Sequence, residues 1–170
     1  FAAAQFAPRQ GVVRGSSAVV GLGTTGANAS VVRADVAQVM ALTPNRGNQY
    51  PGSLMGSIAV LRQAFLDAKW YRDARAAAAR RATTERVSEN LTFAALQPVI
   101  AGQQPVVMVA DEMLQVLEAS KIASEAGVDA TIVTAGDEYK RVAQIAATGR
   151  SLIVPVNFPD PPDVSDDANA

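Results

Sequence analysis

The sequence predicts an α/β fold built on parallel β-α-β-α-β units, and three observations carry that prediction. Short apolar runs recur at residues 106–110, 130–134 and 151–156, and they are continuous rather than alternating. Strands covered on both faces read this way. Two segments of helical period separate the runs with short connections, which demands parallel pairing through right-handed crossovers. Hydrophobic residues make up 49% of the chain but aromatics only 5%, so the core is one of Val, Leu, Ile and Ala, suited to packed helices and buried strands.

The elements follow in order. Gly11-Val12-Val13, Arg14-Gly15-Ser16-Ser17 and Ala18-Val19-Val20 read as two short extended pieces around a turn. Residues 21–30 form a Gly/Thr/Asn loop. Val32, Val36, Val39 and Met40 stand at helical spacing and predict a short helix over 31–42. Residues 43–52, rich in Pro, Gly and Asn, are a loop. Ser53 is placed as an N-cap. Leu54, Ile58, Leu61, Phe65 and Ala68 then form one apolar stripe on a long helix. That helix continues through Ala76 to Ala79, strong helix formers, with Arg72, Arg75, Arg80 and Arg81 facing water. Residues 88–102 predict another helix, with Leu96, Val99 and Ile100 inward and Pro98 kinking or restarting it.

Pro105 precedes the first buried strand. Asp111 is placed as the N-cap of a helix that ends at Gly127, with Met113, Leu114, Leu117 and Ile122 inward. After the strand at 130–134, Asp137 opens a helix with Tyr139, Val142, Ile145 and Ala146 inward, ended by Gly149. Residues 151–156 are the third strand. One domain is expected over 1–158 and a polar Pro/Asp-rich tail over 159–170, exposed or disordered.

Composition excludes several classes of function. Net charge is -1, with no basic patch for nucleic acid. The absence of cysteine removes disulfides, thiol nucleophiles and Cys-based zinc sites. The absence of histidine removes the commonest metal ligand and every His-based catalytic constellation within this chain. No apolar run is long enough to span a membrane. A first residue of Phe implies processing, removal of a tag, or excision from a longer chain. Gly21-Leu22-Gly23-Thr24-Thr25-Gly26 matches the dinucleotide fingerprint literally. The stretch after the helix expected at 31–42 offers neither a second strand nor an acidic residue for the ribose, so a glycine loop is the better reading. The sequons at Asn28 and Asn90 are chance matches.

Arg14-Gly15-Ser16-Ser17-Ala18-Val19-Val20 resembles a strand-turn segment of bacterial amidohydrolases related to imidazolonepropionase. Residues 50–59, from Tyr50-Pro51-Gly52-Ser53 to Ala59, and residues 61–71, ending in Trp70-Tyr71, are similar to a long-helix signature of one subgroup, many members of which are exported. Residues 105–111 and 153–159 fit the same subgroup in order and spacing. The resemblance implies part of a (β/α)8-barrel-like amidohydrolase domain, in which zinc or another divalent metal activates water against an amide or cyclic C–N bond. Its site would lie at the C-terminal ends of strands. A complete barrel takes about 250 residues, so the resemblance also implies an incomplete piece. The family's metal-binding histidines are missing: Val109 or Ala110 stands where one ligand is expected, and Thr134-Ala135-Gly136 where another is.

The candidate substrate-binding residues are Arg14, Ser17, Asp111, Glu112, Asp137 and Asn157, with no metal ligand and no cofactor held by this chain alone. Arg14 with Ser16 and Ser17 could hold a substrate carboxylate, since guanidinium suits bidentate pairing; an exposed arginine in a turn is the plainer alternative. Asp111 and Glu112, like Asp137 and Glu138, follow strands and so sit on the functional rim, where helix capping competes as an explanation. Trp70 and Tyr71 read as packing. Expected partners are the remaining segments of the same barrel or further copies of the chain. Three functions compete: a portion of a C–N hydrolase, inactive alone; a non-catalytic module that binds a small molecule or a partner chain; and, more weakly, an independent nucleotide-binding domain.

Overall fold

The computed structural model describes residues 2–23, 26–45, 47, 49–80 and 87–156. Within them the strands form two sheets. Strands β1 (Ala3–Phe6), β3 (Ala18–Gly21) and β4 (Val31–Arg33) make an antiparallel sheet in the order β1-β3-β4. Strands β2 (Val13–Ser16), β5 (Gln38–Ala41), β6 (Val106–Val109), β7 (Ala130–Val133) and β8 (Ser151–Ile153) make the larger sheet, in the order β2-β5-β6-β7-β8. There β2 runs antiparallel to β5, and β5 through β8 are parallel. The parallel β-α-β-α-β core expected from the sequence is therefore present. The described strands leave the larger sheet open, with β2 and β8 at its edges.

The helix expected over 31–42 is not formed. This stretch is β4, a turn, and β5, which is buried along its whole length. Asp35 takes a positive φ of 51° in the turn, which no helix accommodates. Four apolar positions in twelve residues satisfy a helical period by coincidence, while β-branched Val31, Val32, Val36 and Val39 favour extended backbone. The two extended pieces of 1–20 also do not form a hairpin. They part company at Ser17, β2 joining one sheet and β3 the other, while β1, unanticipated, pairs along β3.

Helix α1 (Leu54–Arg80) matches its expected span. The Ser53 hydroxyl accepts the Gly56 amide at 3.2 Å and its carbonyl accepts the Ser57 amide, as an N-cap should. Leu61, Phe65, Ala68 and Tyr71 are buried on one face and Arg72, Arg75 and Arg80 are exposed. Arg81 lies outside the described residues, as does the tail. Pro98 does restart the next helix: α2 (Leu91–Ala95) stops and α3 (Gln97–Ile100) begins with Pro98 in its first turn.

In helix α4 (Met113–Ala126) the N-cap position is held by Glu112 rather than Asp111, with no cap bond from the Glu112 side chain. Its inner face is Val116, Ala119, Ser120, Ile122, Ala123 and Ala126, mostly small side chains that let the helix lie close on the sheet. Leu114 accordingly falls outside, 58% exposed. Gly127 ends the helix in the left-handed region, its amide reaching back to Ala123 and Ser124, the usual glycine C-terminus. The helix expected from Asp137 is broken into a 3-10 turn at 138–141 and a short α5 (Val142–Ala146). The break at Arg141, with φ -146° and ψ 43°, resets the helical phase, so Ile145 alone is buried and Tyr139, Val142 and Ala146 face solvent.

Candidate functional site

Parallel strands deliver their C-terminal ends to one rim of the sheet. At that rim Thr43 follows β5, Asp111 follows β6 and Asp137 follows β7. Because β2 is antiparallel to β5, its beginning arrives at the same rim, and Val13 pairs with Met40. A cleft of about 570 Å³ opens here, lined by Arg9, Gln10, Gly11, Arg14, Thr43, Pro44, Asn45, Gln49, Val109 and Asp111. This is the end of an α/β sheet where ligands bind in general.

Arg14 and Asp111, two of the residues singled out from the sequence, meet in this cleft. The Thr43 hydroxyl donates to Asp111 Oδ2. Arg14 is half-buried, and its Nε donates to the Gly11 carbonyl at 3.1 Å. Burial lowers the Arg14 pKa, the charge of Asp111 opposes that shift, and the charge of Arg9 adds to it. No carboxylate among the described residues lies within ion-pair distance of Arg14 or Arg9.

The other candidates lie elsewhere or serve local structure. Ser17 is buried, its hydroxyl donating to the Ala37 carbonyl at 3.2 Å and accepting from Gln5 Nε2 at 2.8 Å. Ser16 pairs with Gln38 at the far end of β2, away from the rim. Glu112 is exposed and makes no side-chain cap, although its carbonyl receives the amides of Gln115 and Val116. Asp137 Oδ2 accepts the Met113 amide at 3.2 Å, so a neighbouring loop caps α4. Its Oδ1 is buried with no hydrogen-bond partner among the described residues. Glu138 accepts the Gly136 amide. Asn157 lies outside the described residues. Tyr71 packs against Phe93 with ring centroids 5.9 Å apart, whereas Trp70, expected to pack, is 61% exposed.

Sequence reasoning missed Arg9, Thr43, Asn45 and Gln49. Thr43 was recoverable: once 38–41 is read as a strand parallel to β6, its next residues share the rim with Asp111. A second cavity of about 120 Å³ lies between α1 and α4, beside Arg62, which bonds Glu118 and Glu125. It borders the end of α4 and so faces the opposite rim, away from the strand ends.

No group of three or more Asp or Glu side chains that could hold an ion occurs among the described residues. A catalytic zinc needs three protein ligands, and the described residues do not fit one. No described helix is long and apolar enough to cross a membrane.

No family model and no curated protein matches the sequence. Among solved structures, the chain is similar to the crystal structure of an amidohydrolase from Thermotoga maritima MSB8, with a TM-score of 0.79 over 91% of this chain and 22% sequence identity. The chain shares its fold with the matched part of that structure. The matched region is 42% of that neighbour's chain, so the present chain spans less than half of its length.

Proposed function

We propose that this chain is one portion of an amidohydrolase-type hydrolase acting on amide or cyclic-amide C–N bonds, related to imidazolonepropionase, and that it is inactive by itself. The observation that carries this reading is the fold match together with the cleft at the strand ends, the place such enzymes use. In this reading the remaining segments of a barrel-like domain complete the sheet beyond its open edges, and any divalent metal is held by side chains that those segments bring. The residues of this chain contribute a wall of the cleft: Arg14 and Asp111 face a ligand, and Thr43 fixes the Asp111 carboxylate. No chemical step is assigned to them. An exported location accords with the subgroup that the sequence resembles.

The lack of a fitting donor set favours a second reading, a non-catalytic degenerate module that binds a small molecule or a partner chain. Native mass spectrometry of the purified protein separates the two. A complex with a histidine-bearing polypeptide and one or two metal ions, active on cyclic amides, supports the hydrolase. In material isolated from the cells that make it, a metal-free monomer or homo-oligomer with no histidine-bearing polypeptide bound refutes the completed hydrolase and leaves the binding module.

A further inference from the structure

The strand-end cleft presents two guanidinium groups, from Arg9 and Arg14, and one carboxylate, from Asp111. Arginine in a folded protein ordinarily finds an anion or several carbonyl groups. Here Arg14 gives only its Nε, to Gly11, and its two terminal nitrogens bond nothing among the described residues. That single bond has a geometric effect. It fixes the plane of the guanidinium and leaves the terminal pair as an end-on fork. Gly11 sits at a φ of 84° to place its carbonyl there, a conformation that suits glycine.

Arg9 brings a second positive charge to the same cleft, and the two guanidinium groups repel one another. Thr43 holds Asp111 Oδ2, so this carboxylate is fixed by a hydroxyl instead of swinging to either arginine. The cleft therefore holds more cation than anion, and among the described residues its cations form no ion pair.

We propose that Arg14, assisted by Arg9, forms an oxyanion subsite that takes the carboxylate of a small organic acid. This rests on reading the strand-end cleft as the ligand cleft. Asp111 on the same wall decides between anions. With Asp111 the three groups carry a net single positive charge; their attraction grows in proportion to the ligand's charge, whereas the cost of desolvating the ligand grows with the square of that charge, which favours a singly charged carboxylate over a doubly charged phosphate. The subsite differs from the grouping that chain order suggests, since Ser16 and Ser17 take no part and Arg9 replaces them.

The test titrates the full chain, at low ionic strength, with N-acetylglycine and with its neutral counterpart N-acetylglycinamide, followed by amide chemical shifts in NMR. The acid is expected to shift the amides of residues 9–14 and 43–45 and to bind at roughly millimolar strength, typical of one small anion. The neutral amide is expected to bind at least tenfold more weakly. Arg14→Gln should abolish most of the difference, Arg14→Lys should recover part of it, and Asp111→Asn should tighten acid binding a few-fold. Inorganic phosphate should bind more weakly than the acid. Equal binding of acid and neutral amide at these residues overturns the carboxylate subsite and leaves the cleft as a ligand site. Shifts from neither compound overturn both. Tighter binding of phosphate than of the acid overturns the choice of carboxylate. The comparison on the unaltered chain needs no variant to fold.

Discussion

Replacing Ser17 by Ala separates a hydroxyl that holds the fold from one that holds a ligand. Ser17 stands where the chain leaves the larger sheet and joins the smaller one. Its backbone amide and its hydroxyl both donate to the Ala37 carbonyl, at 2.8 and 3.2 Å, and its own carbonyl accepts the Val36 amide. The hydroxyl also accepts from Gln5, on β1. The substitution removes two side-chain hydrogen bonds, each worth about 0.5–1.5 kcal/mol net. Neither partner is left stranded: Ala37 keeps the Ser17 amide, and Gln5 is exposed and reaches water. The cost therefore falls in the lower part of the range, at about 1–2 kcal/mol. With an m-value of about 2 kcal/mol/M in urea, the unfolding midpoint should fall by roughly 0.5–1 M with the slope unchanged. N-acetylglycine binding should stay within twofold of the unaltered chain. An unchanged midpoint together with a loss of binding would refute the assignment of Ser17 to the fold.

Other expectations follow from particular contacts. Gly56→Ala should reverse the usual sign of a glycine-to-alanine change in a helix: the added Cβ would meet Pro51 Cβ at 2.8 Å and the capping Ser53 Oγ at 3.3 Å. Instead of the gain of about 1 kcal/mol that propensity gives, thermal melting should show a loss of about 1–3 kcal/mol. Asp137→Ala removes the acceptor at the start of α4 and should cost about 1 kcal/mol in urea unfolding, with amide exchange of Met113 accelerated most. The Arg62 hydrogen bond lowers the Glu125 pKa, so this pair stabilises the fold above the unfolded carboxylate value and loses that effect as pH falls through the lowered folded value. The stability difference between the unaltered chain and Arg62→Gln should be flat above about pH 5.5, shrink toward about pH 3, and weaken in high salt. A difference that grew on acidification would contradict the pairing.

How much was legible in the sequence depended on whether one element explains its own pattern. Helix α1 is visible because Leu54 to Ala68 repeat one period over many turns, and Ser53 marks its start. Helix α4 with the strands on either side is visible because long and short apolar segments alternate. Strand β5 is not, since its four buried residues, Gln38 among them, carry no period of their own, and its place in the sheet depends on β2 and β6, which come from other parts of the chain. The site shared this fate. Arg14 and Asp111 attracted notice as residue types, but what joins them is the strand order β2-β5-β6, and misreading β5 hides that order. Ser17 was drawn toward Arg14 by adjacency in the chain, although the structure buries it at the junction of the two sheets. By chain order Asp137 opens its own helix, whereas its side chain caps the one before it.

The placement of β5 also has a consequence for synthesis. On one side it pairs with β2, a near neighbour in the chain, but on the other Gln38 pairs with Val106, beyond the whole 27-residue α1. At about 5–20 residues per second, several seconds separate the emergence of the two strands from a ribosome. Throughout that interval the nascent chain carries Val39, Met40, Ala41 and Leu42 with an unfilled edge, beside a helix whose Leu61 and Phe65 also await cover. The chain is then most open to chaperones and to pairing with a sister chain. The arrival of Val106 to Val109 closes that window.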